Sequence, residues 1–272
     1  MLIRVPYKPI AFLKRDFIIA ASYRLNFVLQ LGSIFISTLM FFFLSRLVGD
    51  GVAGHLEPYG GSYFSFVLIG VAFTDYLSVS LSSFAGQIRS AQMQGTLEAL
   101  LVTPTSVPTI LFSSSLYNFF FTSLRVFLYL AIGVVFFGLK LHMTSLLAFF
   151  VIMLLTILAF SGIGLLSAGF IIVFKKGSPI SFLVTTASGL LGGVFYPVAV
   201  LPSWLEPFAY LLPITHALEA MRQVLLNGAT LAAVYDKALI LALFAALLLP
   251  LGLAAFGYGL RMARKEGSLI HY

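Results

Sequence analysis

Six predominantly apolar stretches of about 20 residues or more dominate this chain: Leu25–Leu47, Tyr63–Gly86, Thr109–Leu139, Ser145–Phe174, Ile180–Val200 and Ala238–Leu260. A helix needs about 20 apolar residues to cross the ~30 Å hydrocarbon core of a bilayer. Inside that core every backbone N–H and C=O must find a partner, which helices provide within themselves. Composition closes the soluble alternative. Of 272 residues, 60% are hydrophobic and 9% charged, against roughly 25% charged in a soluble domain. Too few charges remain to cover a water-facing surface. The predicted class is an all-α membrane protein with six transmembrane helices. The stretches from Thr109 and Ser145 exceed the minimum, which predicts tilt or projection past the bilayer. The first stretch is too long for a signal-peptide core and lacks a small-residue cleavage site near Arg46, so it reads as a retained helix.

The basic residues set an expected orientation. With the N-terminus inside, Arg4, Lys8, Lys14, Arg15, Arg24, Arg89, Lys175, Lys176, Arg261, Arg264 and Lys265 fall in the cytoplasm. Only Arg46, Lys140, Arg222 and Lys237 fall outside. Eleven against four favours cytoplasmic termini and an even number of spans. The net charge of +7 is scattered between apolar runs, a pattern that suits membrane orientation and not a nucleic-acid surface.

Three segments stand outside the spans. In residues 1–24, Pro9–Arg24 sets Ile10, Leu13, Phe17 and Ala21 at helical spacing, with Lys14, Arg15 and Asp16 on other faces. This predicts an amphipathic interfacial helix, with a solvated leader as the alternative. The spans themselves occupy residues 25–260, and residues 261–272 form a cytoplasmic tail. In the outer segment, Pro197, Pro202, Pro207 and Pro213 forbid one long helix. Two short helices are expected within 203–228. One is capped by Ser203 and runs from Trp204 to about Leu212; the other follows Thr215 and stops at Asn227-Gly228. Each covers about half a bilayer, so both lie on the outer surface or dip in and return.

The third segment is the connection at 87–104. Gly95 ends one helical piece and Thr96 opens another, which lines up Leu97, Leu100 and Leu101 beside Glu98 until Pro104 stops it. Exposed leucines below a membrane call for a groove to bury them, either in a partner or in the chain's own bundle. Several chemistries have no counterpart here. Without cysteine there are no thiolate sites or disulfides. No phosphate-binding G-x-x-x-x-G-K-[ST], H-E-x-x-H or G-x-S-x-G occurs. The Gly49–Gly61 stretch reads as a turn, and four isolated histidines do not make a metal cluster. No catalytic residue, metal site or cofactor is therefore assigned to this chain.

Gln94-Gly95-Thr96-Leu97-Glu98-Ala99-Leu100-Leu101-Val102-Thr103-Pro104 resembles the coupling-helix element of the ABC type-2 exporter permeases. Many members carry an acidic residue where this chain has Gln92 and Gln94. Gly193-Val194-Phe195-Tyr196-Pro197 and Leu212-Pro213-Ile214-Thr215-His216-Ala217-Leu218-Glu219-Ala220-Met221-Arg222 resemble two later family stretches, in the same order. The resemblance implies a multi-pass permease subunit in a prokaryotic inner membrane. Its implied partners are a second permease chain, expected to form a homodimer, two ATP-binding-cassette subunits that hold ATP and Mg, and membrane lipids. Gln94, Gly95, Thr96, Leu97, Glu98, Leu100, Leu101 and Pro104 would then couple the permease to its ATPase. The second and fifth spans would line the path. Gly189, Gly192 and Gly193 make a small-residue surface on the fifth span, for packing within the chain or at a dimer seam.

Two charges fall inside the spans. Counting from Gln87 and Leu111 puts Asp75 and Arg125 at depths of roughly 18 and 21 Å on neighbouring antiparallel helices. An unpaired charge there costs at least ~2.5–3.5 kcal/mol, so an Asp75–Arg125 pair is expected, either as static bracing or as a functional site. Glu219 and Arg222 are spaced for an exposed pair of little energetic weight, and His216 reads as a polar residue at a helix start. Abundant phenylalanine and tyrosine suit an amphipathic cargo, whether drug-like, lipid or lipid-linked glycan. The rival function is a proton-coupled secondary transporter working through Asp75 and Arg125.

Overall fold

The computed structural model describes residues 10, 14, 17–18, 24–48, 53–93, 107–142, 144–174 and 179–265, with some side chains within those helices left undescribed. The described residues build eight main helices: α1 (Arg24–Val48), α2 (Tyr63–Met93), α3 (Val107–Phe137), α4 (Leu146–Phe174), α5 (Pro179–Leu191), α6 (Glu206–Tyr210), α7 (Pro213–Asn227) and α8 (Tyr235–Lys265). Short turns at Ala53–Leu56 and Glu57–Tyr59 join α1 to α2. Ile10, Lys14, Phe17 and Ile18 are helical and exposed; the rest of the expected interfacial helix lies outside the described residues. So does the coupling segment from Gln94 to Pro104.

Five helices, α1, α2, α3, α4 and α8, are long and apolar enough to cross a membrane. The expected fifth span, Ile180–Val200, is not one helix. α5 stops at Leu191 after 13 residues, roughly 20 Å of rise, which is short of a bilayer by itself. Its stop is local: Gly193 takes φ +74, a left-handed backbone that disfavours residues with a Cβ. A single 3-10 turn, Val198–Val200, follows Pro197. Apolarity continues through this stretch, which is why composition alone extends the helix too far. At the chain's end α8 runs to Lys265, beyond the expected limit at Leu260, despite Pro250 inside it.

The short helices after α5 also differ from expectation. Ser203 caps nothing: α6 is only five residues, with Leu205 at its N-cap. α7 starts at Pro213, two residues before Thr215, because proline already has the φ of a first helical turn and lacks only a donor that turn does not need. Its expected end holds, with Gly228 at φ 67 closing the helix. Twelve of its fifteen residues are buried. α7 therefore packs into the bundle instead of lying on its surface.

α2 sits at the centre, with 72% of its apolar stretch buried, while α1 is peripheral at 11%. The closest seam joins α4 to α8. A Cβ at Gly252 would stand 2.5 Å from the Gly162 carbonyl, and one at Gly259 2.8 Å from the Gly169 carbonyl. Small residues at matching seven-residue intervals let the two backbones touch, which is how helices associate where hydrophobicity gives no drive. The loop after α3 hooks onto α7: the His142 N–H donates to the Leu225 carbonyl at 2.8 Å, satisfying an acceptor in the last turn.

Candidate functional site

α2 and α3 flank the coupling segment in sequence, and their span residues carry the intramembrane charges. Arg125 Nη2 lies 2.9 Å from Asp75 Oδ2, with both side chains about three-quarters buried. The approach is close but poorly directed, and Asp75 Oδ2 and Arg125 Nε make no directed hydrogen bond. Coulomb attraction, not hydrogen-bond geometry, holds this pair. Beside it, Tyr76 donates its hydroxyl proton to Ser123 Oγ at 2.8 Å, a second polar tie between the same two helices. A third tie runs from Asn118 Nδ2 to Ser83 Oγ at 2.8 Å.

The second polar centre is Arg222 on α7. The expected Glu219–Arg222 pair does not form. Glu219 instead faces Lys237 at 3.8 Å, and Arg222 turns inward until 3% of it is exposed. There Nε and Nη2 donate to the Phe66 carbonyl at 3.1 and 3.0 Å. Nη1 donates to the Gly193 carbonyl at 2.8 Å and Nη2 to the Val194 carbonyl at 3.1 Å. The guanidinium also lies 3.3 Å from the Phe66 ring centroid and 5.9 Å from that of Tyr59. Arginine suits this place because its planar fork donates in several directions and is weakly hydrated.

These bonds explain how the broken helix survives. Ending α5 at Leu191 frees backbone carbonyls, and irregular backbone is tolerated at membrane depth only where protein satisfies it. Arg222 does so for Gly193 and Val194. Gly70 makes room on α2: a Cβ there would collide with the Val194 carbonyl and come 2.8 Å from Arg222 Nη2. The sequence offered one usable signal for this centre, a charged residue with Leu218, Leu225 and Leu226 at helical spacing around it. Its acceptors are backbone groups up to 156 residues away, which no local pattern encodes.

The remaining predicted residues divide between this centre and the surface. Gly192 packs within the chain, where a Cβ would meet Ile214 Cγ2 at 2.6 Å, whereas a Cβ at Gly189 would meet open space. The small-residue pair thus splits between an inner and an outer face. Phe195 stacks on Phe41 of α1 with centroids 6.1 Å apart, Tyr196 donates to the Leu190 carbonyl, and Pro197 is buried. Trp204 is 68% exposed. Pro213 opens α7, Thr215 Oγ1 donates to the Ala209 carbonyl at 2.6 Å, and His216 donates from Nε2 to the Tyr210 carbonyl at 2.9 Å. Asn227 Nδ2 donates to the Pro58 carbonyl at 2.7 Å, tying the far end of α7 to the turn before α2. Burial, helped by the Glu219 charge, pushes the Tyr59 hydroxyl pKa up from its ordinary value.

Residues 10–226 match the ABC-2 type transporter family. The chain belongs to that family. It is also similar to the inner membrane transport permease YadH of Escherichia coli K12, at 28% identity over 188 residues, covering 68% of this chain and 70% of the relative. The same figures hold for YadH of Escherichia coli O157:H7 and of Shigella flexneri. This ABC-2 permease is accordingly a transmembrane transporter subunit and a multi-pass inner-membrane protein. Family membership implies association with an ATP-binding-cassette subunit.

Proposed function

We propose that this chain is the membrane half of an ATP-driven exporter, paired with a second copy of itself and two separate ATPase subunits. The observation that carries the reading is the family match across residues 10–226, which includes the leucine-bearing segment at 94–104. In this reading both termini and that segment face the cytoplasm, where ATP is available. The chain crosses six times, the fifth crossing made by α5 together with the irregular stretch to Val200. ATP and Mg are held by the partner, and the permease chain itself supplies no catalytic group.

ATP-driven closure of the ATPase pair pushes on the coupling segment, which connects α2 to α3. A push at that connection moves the two helices together only if they are braced. The Asp75–Arg125 pair and the Tyr76–Ser123 bond supply such bracing. The cargo is amphipathic, a drug-like compound, a lipid or a lipid-linked glycan, and leaves toward the outer face. The test is co-purification of the permease with its ATPase, followed by ATP hydrolysis in nanodiscs, for the unaltered chain and for Leu97→Asp and Glu98→Arg. Loss of the complex or of permease-dependent hydrolysis is expected. Full complex and unchanged hydrolysis in both variants overturns the coupling role.

A further inference from the structure

A cavity of about 270 Å³ opens between α3 and α4, and none of the groups that hold Arg222 lines it. Its floor is made by Tyr76 of α2, Leu130 of α3, and Val224 and Leu225 of α7, all buried. Its mouth is framed by Phe127, Leu146 and Phe150, all exposed on membrane-spanning helices. The opening therefore faces hydrocarbon.

The polar side chains deep within it, Tyr76 and Ser123, already have their donors committed. Tyr76 donates to Ser123 Oγ at 2.8 Å, with Met153 Sδ at 3.4 Å, and Ser123 in turn donates to the Phe119 carbonyl at 2.9 Å. No donor among these awaits a polar ligand, so the chemistry selects a purely apolar occupant. The volume selects its shape. Drug-sized ligands occupy roughly 300–1,000 Å³, and about 150 Å³ holds a benzene ring. A slender alkyl segment fits between these limits and gains dispersion contact on all sides.

One end of the cavity adds charge. Ser145 lines it, and the loop leading to Ser145 carries Lys140 and His142, both exposed. The backbone of His142 is bonded to the carbonyl of Leu225, itself a floor residue, which fixes this basic loop beside the cavity. Basic side chains at a membrane surface attract anionic head groups.

We propose that this cavity binds one acyl chain of an anionic phospholipid of the surrounding leaflet, with the phosphate beside Lys140 and His142. Such a lipid wedges α3, α4 and α7 together. The test uses the unaltered chain in nanodiscs containing phosphatidylglycerol with a photoreactive diazirine on its acyl chain. After illumination, adducts are mapped by peptide mass spectrometry. Adducts are expected on Tyr76, Val224 or Leu225 as well as at the mouth, and several-fold fewer on those buried residues with the matching phosphatidylcholine. Val126→Phe, which projects a ring into the cavity and narrows it, should reduce the buried adducts several-fold and keep those at the mouth. Adducts confined to Phe127, Leu146 and Phe150 in the unaltered chain, or equal buried labelling by both lipids, overturn the proposal; the unaltered chain decides even if the variant does not fold.

Discussion

Arg125 and Arg222 are both withdrawn from water in one bundle, and they are held in opposite ways. Arg125 is neutralised by a carboxylate across a helix pair, with loose angles and a quarter of its side chain still exposed. Among the described residues Arg222 touches no carboxylate; four directed bonds to three carbonyls and an aromatic face hold it. The first arrangement tolerates small shifts, because Coulomb attraction changes slowly with angle and distance. The second does not, because each hydrogen bond depends on the backbone shape it meets. The first suits a brace between helices that, in the proposed mechanism, move together; the second suits a clamp on the break after α5.

The comparison can be broken first at the clamp. Arg222→Met strips the donors from Gly193 and Val194, and unsatisfied buried acceptors cost about 1–3 kcal/mol each. We expect the largest loss of thermal stability in the series, read as the melting temperature of the detergent-solubilised chain. Arg222→Lys keeps the charge but not the fork and should fall between the two. At the brace, Asp75→Asn leaves Arg125 uncompensated and should cost about 2.5–3.5 kcal/mol. Combining Asp75→Arg with Arg125→Asp should recover part of that loss; a double variant no better than either single change would show that the pair contributes no coupling.

Gly70→Ala probes the clamp without altering a charge. Its new methyl meets the Val194 carbonyl and Arg222, so a cost of about 1–3 kcal/mol is expected, whereas Gly189→Ala, with open space around it, should leave the monomer's melting temperature unchanged. Smaller still is Glu219→Gln, which removes a partly exposed 3.8 Å ion pair worth under about 1 kcal/mol. The least effect is the titration of Tyr59. Its pKa is raised in the folded chain, so its neutral form contributes stability below the ordinary tyrosine value of about 10. That contribution is lost as pH rises through the folded pKa. Melting temperatures should therefore be insensitive to this group between pH 7 and 9, and Tyr59→Phe should lessen the decline at higher pH.

Apolar length made α1, α2, α3, α4 and α8 legible in the sequence, because hydrocarbon thickness imposes it directly. Counting residues inward also placed Asp75 and Arg125 at matching depth, since helical rise is constant. The end of α5 was not legible. Apolarity says where a segment lies, not which backbone it adopts, and the break depends on Gly193 and on an arginine some thirty residues later. Arg222 itself was misread because its spacing from Glu219 fits a surface pair. Burial of α7 on almost every side put that arginine among carbonyls instead. The α4–α8 seam was visible only as glycines seven apart in two distant stretches, a pattern that gains meaning once the helices are known to meet.

The account rests on the 94–104 segment reaching the compartment where ATP is burned. The chain has no cysteine, so single cysteines can be introduced and labelled without background. Leu97→Cys and Lys140→Cys should be compared in intact cells with a membrane-impermeant maleimide, before and after permeabilising the inner membrane. The account predicts labelling at 140 from outside and at 97 only after permeabilisation. Labelling at 97 in cells with an intact inner membrane would contradict it.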